Sequence, residues 1–171
     1  MLTVRLTRVP ENGEQLRESR RVSLADLGLA APFDPAGVDA SWELTRMMGK
    51  VYGKVRGEGL LHLSCGRCLR DFSRAAVAEF AVLFEPRAFV GKGRDNQARP
   101  QGEEEEEAGP TAAFFDGEDL PVGEELRQEL ELEVPFSALC RERCAGLCPS
   151  CGANLNDGPC ACPTAGAEGP A

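Results

Sequence analysis

The sequence predicts an α+β protein, in which an antiparallel β-sheet packs against one helix and continues into a cysteine-rich C-terminal segment. Apolar and polar residues alternate through much of 41–84, and this period of two is typical of strands with one buried face. Residues 121–132 carry apolar side chains at helical spacing, which predicts an amphipathic helix. Six of the eight cysteines follow that helix.

The N-terminal part, residues 1–90, is predicted to be mainly antiparallel β structure. Residues 2–8 alternate between apolar and polar side chains and predict a strand, whereas residues 11–21 are polar and compatible with a helix. Residues 72–84 fit either a helix or a strand, and we favour a strand that pairs with the preceding hairpin.

That hairpin is predicted from two alternating runs on either side of Gly57-Glu58-Gly59. Gly-x-Gly predicts a turn, although more weakly than Asn-Gly does. In the first run Val51 and Val55 share one face, and the other face carries the polar residues Lys50, Tyr52, Lys54 and Arg56. In the second run Leu61, Leu63 and Cys65 share a face.

Residues 91–113 are predicted to be a flexible acidic linker, because five consecutive glutamates at 103–107 repel one another and favour a solvated chain. The helix and the cysteine-rich segment, residues 114–162, are predicted to complete the same domain as the sheet. Pro121 suits the first turn of the helix. The Ala-, Gly- and Pro-rich tail 163–171 is predicted to be disordered.

The cellular compartment is predicted from what the sequence does not contain. Residues 1–12 have no apolar core of the kind found in signal peptides, and no apolar run is long enough to span a membrane. We therefore expect a cytoplasmic protein. In a reducing compartment, paired cysteines more often bind a metal or perform redox chemistry than form disulfides.

Charge is distributed unevenly along the chain, whose net charge is −9. Residues 1–99 hold 16 Lys and Arg against 12 Asp and Glu, while residues 100–171 hold 3 against 16. The segment 46–74 is basic, with 7 cations against 2 acidic residues. This segment fits a polyanionic partner on one face of the protein, or else it neutralises the acidic half of the same chain.

The cysteines form four close pairs: Cys65 and Cys68, Cys140 and Cys144, Cys148 and Cys151, and Cys160 and Cys162. The third pair gives the strongest signal, because Cys-Pro-Ser-Cys-Gly has the form of a zinc knuckle, a tight turn that directs two thiolates at one ion. The C-terminal part is therefore predicted to be a cysteine-rich zinc-knuckle segment.

The partners of the third pair can be chosen in more than one way. A tetrahedral zinc site needs two further ligands, and the second and fourth pairs are both close along the chain. One arrangement uses all eight cysteines in two sites. It places Cys65, Cys68, Cys140 and Cys144 in one site and Cys148, Cys151, Cys160 and Cys162 in the other. The first pair also fits two buried apolar thiols or a redox pair.

Residues for catalysis are not evident in the sequence. A catalytic zinc needs a histidine or carboxylate and an open coordination position, and His62 is the only histidine. The sequence shows no Ser/His/Asp set and no glycine-rich phosphate loop. We therefore predict that the protein is not an enzyme.

The cysteine string carries a resemblance to a known family. The sequence Cys-Gly-Arg-Cys-Leu at 65–69 follows a predicted strand; LRQELELEVP at 126–135 comes next, and Leu-Cys at 139–140 leads into 144–156 and Cys-Ala-Cys at 160–162. Over about residues 40–162 the chain resembles the YceD-like bacterial proteins, which are linked to accumulation of large-subunit ribosomal RNA. The resemblance implies a non-enzymatic role in large-subunit biogenesis.

Two functional hypotheses follow. In the first, the protein contacts ribosomal RNA or a large-subunit precursor, and we expect the polar strand face with Lys50, Tyr52, Lys54 and Arg56 to bind it, since cations neutralise phosphates and an aromatic ring stacks on bases. In the second, the protein is a zinc-stabilised protein-interaction module or redox-sensitive adaptor that binds a protein partner through its acidic C-terminal half.

Overall fold

The computed structural model describes residues 1–87 and 110–162, which are mainly β structure. In chain order the elements are β1 (Val4–Arg5), a 3₁₀ turn (Leu6–Arg8), β2 (Gln15–Val22), α1 (Leu24–Leu27), β3 (Val38–Met47), β4 (Lys50–Ser64), β5 (Asp71–Pro86), β6 (Thr111–Phe115), β7 (Asp119–Leu120) and α2 (Val122–Leu132). The described residues belong to two compact units, which we call the sheet unit (1–61, 75–87 and 110–134) and the cysteine unit (62–74 and 135–162).

The main sheet has the strand order β2-β3-β4-β5-β6. Strand β3 pairs antiparallel with both β2 and β4, which confirms the prediction of a mostly antiparallel sheet. The outer strand β6 differs, because it runs parallel to β5. Strands β1 and β7 form a separate antiparallel pair.

The hairpin turn between β3 and β4 lies at Met48 and Gly49, and not at the glycines where the sequence predicts one. Both turn residues have positive φ, 51° and 77°, as the right-handed twist of a two-residue hairpin requires. Met48 is 94% exposed, so no packing opposes this conformation.

The predicted turn at Gly57-Glu58-Gly59 is wrong, because β4 continues through it as one strand from Lys50 to Ser64. The alternation of burial also continues, with Val51, Val55 and Leu61 buried on one face. Gly57 lies on this face, where a Cβ atom would come within 2.6 Å of the Leu126 side chain. The glycine is therefore needed for close packing and not for a change of chain direction.

Two N-terminal predictions also need correction. Only Val4–Arg5 of the strand predicted at 2–8 is a strand. The segment 11–21, which is compatible with a helix, instead contains most of β2. This strand is at the edge of the sheet, where charged side chains are common because they prevent pairing with other chains, and its polar sequence therefore resembles a surface helix.

The predicted helix is confirmed as α2, which begins at Val122 directly after Pro121. Its apolar stripe, Val122, Leu126 and Leu130, is fully buried. Helix α2 packs closely on its neighbours at two glycines: Gly57 contacts Leu126, and Gly123 contacts the backbone of Leu2. The remaining face of α2 carries glutamates, two of which occupy the first turn, where the helix dipole favours negative charge.

The core of the sheet unit contains large side chains that are at most 2% exposed. These include Leu2, Leu27, Trp42, Leu44, Leu61, Phe84, Leu120, Leu126 and Leu130. Arg20 lies over the Trp42 ring, 5.5 Å from its centroid, and covers it with a cation.

Several predicted segments lie partly or wholly outside the described residues. The predicted linker, 91–113, is described only from residue 110, and residues 111–113 belong to β6. The predicted tail, 163–171, lies outside the described residues. Whether residues 114–162 complete one domain with the sheet stays a prediction. In the described ranges, no helix is long and apolar enough to cross a membrane.

The close approach at Gly57 predicts a clear loss of stability on substitution. In Gly57→Ala the new methyl group would lie within 2.6 Å of Leu126, and overpacking of this kind costs about 1–3 kcal/mol. Denaturant unfolding of Gly57→Ala should show this loss, whereas Lys54→Ala, on the exposed face of the same strand, should change stability by less than about 0.5 kcal/mol. Equal stability of the two variants would contradict the packing assigned to Gly57.

Candidate metal centres

The eight cysteines of the cysteine unit form two clusters of four. The first cluster contains Cys65, Cys68, Cys140 and Cys144, and the second contains Cys148, Cys151, Cys160 and Cys162. Within each cluster all four sulfur atoms lie within 4.8 Å of one another. Of the arrangements that the sequence leaves open, this is the one that uses all eight cysteines in two sets of four.

The first cluster is formed by segments that are far apart in the sequence. The Sγ atoms of Cys65 and Cys144 are 3.7 Å apart, as are those of Cys68 and Cys140. Cys65, Cys68 and Cys144 are buried, and partly buried apolar side chains pack around them, namely Phe72, Leu139 and Leu147. The first cluster is therefore also the hydrophobic core of the cysteine unit.

The sulfur separations in the first cluster fit a tetrahedral thiolate site. Four sulfurs at about 2.3 Å from a common ion lie about 3.8 Å from each other, close to the observed 3.7 Å. A disulfide would require about 2.05 Å, and all eight thiols are free. A set of four sulfur ligands is typical of structural zinc and of iron–sulfur sites.

The two Cys-x-x-Cys turns, which we call the first and second knuckles, share one backbone geometry. The N–H of Leu69 donates to the Cys65 carbonyl, and the N–H of Gly152 donates to the Cys148 carbonyl, both at 2.9 Å. In each knuckle the residue after the second cysteine has positive φ, 57° at Leu69 and 72° at Gly152. The second knuckle thus has the left-handed glycine that its sequence predicts, and the first has the same conformation without glycine.

Backbone amides favour the thiolate form at the first cysteine of each knuckle. The backbone N–H of Cys140 contributes most to lowering the pKa of Cys65 to about 6, against the opposing effect of burial. Backbone N–H groups of Cys151 and Ser150 lower the pKa of Cys148, also to about 6. In each cluster the backbone therefore favours the ionised form of the first knuckle sulfur, the form that binds cations.

The pKa values of other thiols in the clusters are raised. Burial is the main cause that raises the pKa of Cys140 to about 12. The hydrogen bond with Cys151 is the main cause that raises the pKa of Cys162 to about 11. Such groups become ligands when a nearby cation stabilises their ionised form, as metal binding to thiols releases protons.

The clusters differ in exposure. In the second cluster Cys148 is buried, Cys160 and Cys162 are half-buried, and Cys151 is exposed. Its ligand pairs are joined by a loop of eight residues, 152–159. The second cluster is therefore more accessible to chelators and oxidants than the first.

Asn156 is a residue at these clusters that the sequence does not single out. It lies in the loop of the second cluster, yet its Nδ2 atom donates to the Cys144 Sγ atom of the first, at 3.4 Å. Burial opposes ionisation of Cys144, but hydrogen bonds from Asn156 and from the backbone of Gly146 outweigh it, and the pKa of Cys144 is lowered. The only signal in the sequence is Asn-Leu-Asn-Asp-Gly, which indicates a turn.

The candidate RNA-binding side chains lie on the face of β4 opposite its buried residues, and two of the four are paired with acids. Lys50 forms an ion pair of 2.5 Å with Glu85, and Arg56 forms ion pairs with Glu58 and Glu79. Tyr52 is 49% exposed, and Lys54 is exposed opposite Glu43 of β3. These four residues share one exposed surface, which we call the β4 face, where cations and carboxylates alternate.

The positive φ at Gly152 gives a local prediction for the second knuckle. No heavy atom lies within 4 Å of a Cβ atom built at Gly152, so Gly152→Ala is opposed by backbone conformation alone. We expect it to destabilise the knuckle by about 1 kcal/mol and to weaken the binding of added Zn²⁺ in a chelator competition. Leu69→Gly in the first knuckle should have no such effect. A Gly152→Ala chain that retains zinc as the unchanged chain does would contradict the knuckle geometry.

The fold and clusters together define a class of protein: a mostly antiparallel β protein with a small unit built around two sets of four cysteines. Residues 51–168 match the family model described as "Large ribosomal RNA subunit accumulation protein YceD". Because the match covers more than half of the chain, the chain belongs to this family. The resemblance seen in the cysteine string is thereby confirmed.

Two curated relatives carry the same description. The "Large ribosomal RNA subunit accumulation protein YCED homolog 1, chloroplastic" of Zea mays is 27% identical over 169 residues, which cover 84% of this chain and 57% of that protein. The protein of that name from Arabidopsis thaliana is 25% identical over 127 residues, covering 64% of this chain and 40% of its own length. The chain thus spans roughly half the length of these relatives. No solved structure matches the chain significantly.

Proposed function

We propose that this protein supports the accumulation of large-subunit ribosomal RNA without catalysing a reaction, and that bound zinc stabilises the fold of its cysteine unit. The first part is supported by the family, whose description names an accumulation protein and no reaction. The observation that carries the second part is the grouping of all eight cysteines into two sets of four. A reducing compartment where large subunits are assembled, the cytoplasm in our proposal, keeps these thiols available.

Zinc is the metal that we assign to both clusters. The ligands are Cys65, Cys68, Cys140 and Cys144 in the first site and Cys148, Cys151, Cys160 and Cys162 in the second. Zinc accepts four thiolates in a tetrahedral arrangement, and a site filled by four protein ligands has no position for a water molecule. Zinc therefore supplies stabilisation here and no hydrolytic chemistry.

We assign the RNA contact to the β4 face, with Lys50, Tyr52, Lys54 and Arg56. No ion pair of Lys54 is present in the described parts of the chain, so its ammonium group can bind a phosphate without breaking one. Tyr52 lies two residues before Lys54 on the same face of β4, and its exposed ring can stack on an unpaired base. Lys50 and Arg56 already contact carboxylates, so phosphates must compete with these acids for them.

A charge reversal tests this assignment. In the triple variant Lys50→Glu, Lys54→Glu, Arg56→Glu, we expect binding to large-subunit ribosomal RNA to be lost, because phosphates then face added carboxylates. Binding of the unchanged chain should weaken steeply with salt, since each neutralised phosphate releases counterions. The measurement is a filter-binding or fluorescence titration at several salt concentrations, with circular dichroism and zinc content as checks of folding.

The matched control applies the same change in net charge elsewhere. Arg5, Arg8 and Arg87 are exposed cations outside the β4 face, and their triple change to Glu should weaken RNA binding much less. Tyr52→Ala separates stacking from charge, since it should lower affinity without changing the salt dependence. If the β4 triple variant folds, keeps its zinc and binds RNA as before, the β4 face is not the RNA contact.

A second candidate function is a zinc-stabilised protein-interaction module or redox-sensitive adaptor. The observation that favours it is the acidic outer face of α2, where Leu132 is 78% exposed beside glutamates. Gradient sedimentation of the tagged chain separates the two functions. Co-sedimentation with large-subunit precursors that is abolished by ribonuclease supports the RNA function, and a stable ribonuclease-resistant complex with another protein supports the adaptor function.

A further inference from the structure

Asn156 links two clusters that are otherwise built from different cysteines. It belongs to the loop between Cys151 and Cys160, which joins the ligand pairs of the second cluster. Its side chain donates to Cys144, a member of the first cluster. One residue of the second cluster's loop thus fixes a sulfur of the first.

The orientation of the Asn156 amide is determined by its neighbours. Its Oδ1 atom accepts from the backbone N–H of Ala145 at 2.9 Å and from Nε of Arg141 at 3.2 Å, and both groups can only donate. Its Nδ2 atom must therefore face the other way, where it donates to Cys144 Sγ and, at 2.7 Å, to Oδ1 of Asn154. Both ends of the amide are used.

The backbone around Asn156 is joined to the segment between the clusters. Leu155 donates its N–H to the Gly146 carbonyl at 2.9 Å, and Cys148 donates its N–H to the Ala153 carbonyl at 2.8 Å. Residues 145–147 connect Cys144 of the first cluster to Cys148 of the second. The loop of the second cluster is therefore held against this connection.

A further contact ties the same loop to the first knuckle. Asp157, the residue after Asn156, forms a 2.8 Å ion pair with Arg70, two residues beyond Cys68. Leu147 donates its N–H to the Arg67 carbonyl of the first knuckle at 3.1 Å. Ordering the first knuckle and Cys144 thus also orders the chain that presents the second set of ligands.

From this geometry we propose that Asn156 is a positioning residue that couples the two clusters, so that a metal ion in one raises the affinity of the other. The proposal rests on the metal binding proposed above. Coupling between two sites is reciprocal. The conformational entropy of the shared loop is lost when the first ion binds, so the second ion binds without that loss. Groups that hydrogen-bond a metal ligand typically change affinity 10- to 100-fold.

The test is a Co²⁺ titration of the reduced full chain, followed by the sulfur-to-cobalt charge-transfer absorption. The affinity of the second cluster is measured in the unchanged chain and in Cys65→Ser, Cys68→Ser, which disables the first cluster. We expect the second cluster to bind Co²⁺ at least about tenfold more weakly in the disabled chain. We call the affinity of the second cluster in the chain with an intact first cluster, divided by its affinity in the disabled chain, the coupling ratio. Asn156→Asp keeps the shape of the side chain but loses both N–H donors, so in this background the coupling ratio should fall towards one.

Asn156→Ala serves as a second variant, because it removes the amide without adding charge near the sulfurs. In a chain with only the first cluster intact (Cys148→Ser, Cys151→Ser), Asn156→Ala should also shift the charge-transfer band, since Cys144 loses a hydrogen bond. Glu142→Gln is the control, because Glu142 is exposed within the Cys140–Cys144 loop. It should change neither the ratio of the second cluster's affinities nor the charge-transfer band.

The outcomes distinguish this proposal from the proposed metal binding. Two clusters that bind Co²⁺ with a ratio unaffected by either Asn156 variant would overturn the coupling and leave the metal sites standing. A chain that binds no Co²⁺ at either cluster would overturn both. If Asn156→Asp fails to fold by circular dichroism, the ratio in Asn156→Ala decides.

Discussion

Replacing Cys65 and Cys144 by Ser is expected to lower zinc content from about two equivalents per chain to one or fewer and to destabilise the cysteine unit strongly around the first cluster. Both residues are buried, and the first cluster is the core around which Phe72, Leu139 and Leu147 pack. Structural zinc contributes about 10–16 kcal/mol of apparent binding free energy to such small units. Amide exchange in residues 135–162 should become fast, as measured by mass spectrometry of peptic fragments.

The sheet unit provides the internal reference for this experiment. Its core, which includes Trp42 and Phe84, is made of apolar side chains and contains none of the cysteines. Amides of β3 should therefore stay protected in the same sample. Slow exchange throughout 135–162 in a double variant without zinc would show that the cysteine unit does not depend on metal.

Replacing Trp42 by Ala is expected to cost about 3–5 kcal/mol of unfolding free energy. Trp42 is 2% exposed, lies in β3 between two neighbouring strands and also packs against Arg20. Its removal leaves a cavity that the surrounding sheet cannot close. Urea unfolding followed by circular dichroism measures the loss.

Trp42→Phe is the informative comparison. In the described part of the chain the indole Nε1 atom of Trp42 has no hydrogen-bond partner, so phenylalanine removes volume without breaking a hydrogen bond. We expect it to cost about 1–2 kcal/mol. A cost for Trp42→Phe equal to that of Trp42→Ala would show that the indole nitrogen has a partner that matters.

The sheet could be predicted from the sequence to the extent that burial alternates along each strand. The alternation around Val51 and Val55 identified the buried face of β4. It could not show that β4 passes through Gly57, because glycine is equally suited to a turn and to close packing by a helix, and only the distant Leu126 distinguishes them. The parallel pairing of β6 with β5 likewise depends on contacts that a local pattern does not contain.

The cysteine clusters were more accessible to prediction, because the eight cysteines come in close pairs along the chain. The knuckle at Cys148 and Cys151 is evident from its own five residues. The grouping of Cys68 with Cys140, 72 positions apart, was one of the arrangements left open by counting ligands, and no local signal selects it. Asn156 could not be predicted, since its role depends on a hydrogen bond to a sulfur 12 positions away, and an asparagine in a turn needs no such partner.

The most direct test of the zinc assignment is the mass of the intact chain under native conditions, purified reduced and without added metal. We predict a mass that exceeds the sequence mass by two zinc ions per chain. Denaturation with a chelator should remove both ions, and Cys148→Ser with Cys151→Ser should remove one. A folded, fully reduced chain whose native mass equals the sequence mass, with zinc well below one equivalent, would contradict the assignment of zinc to the two clusters.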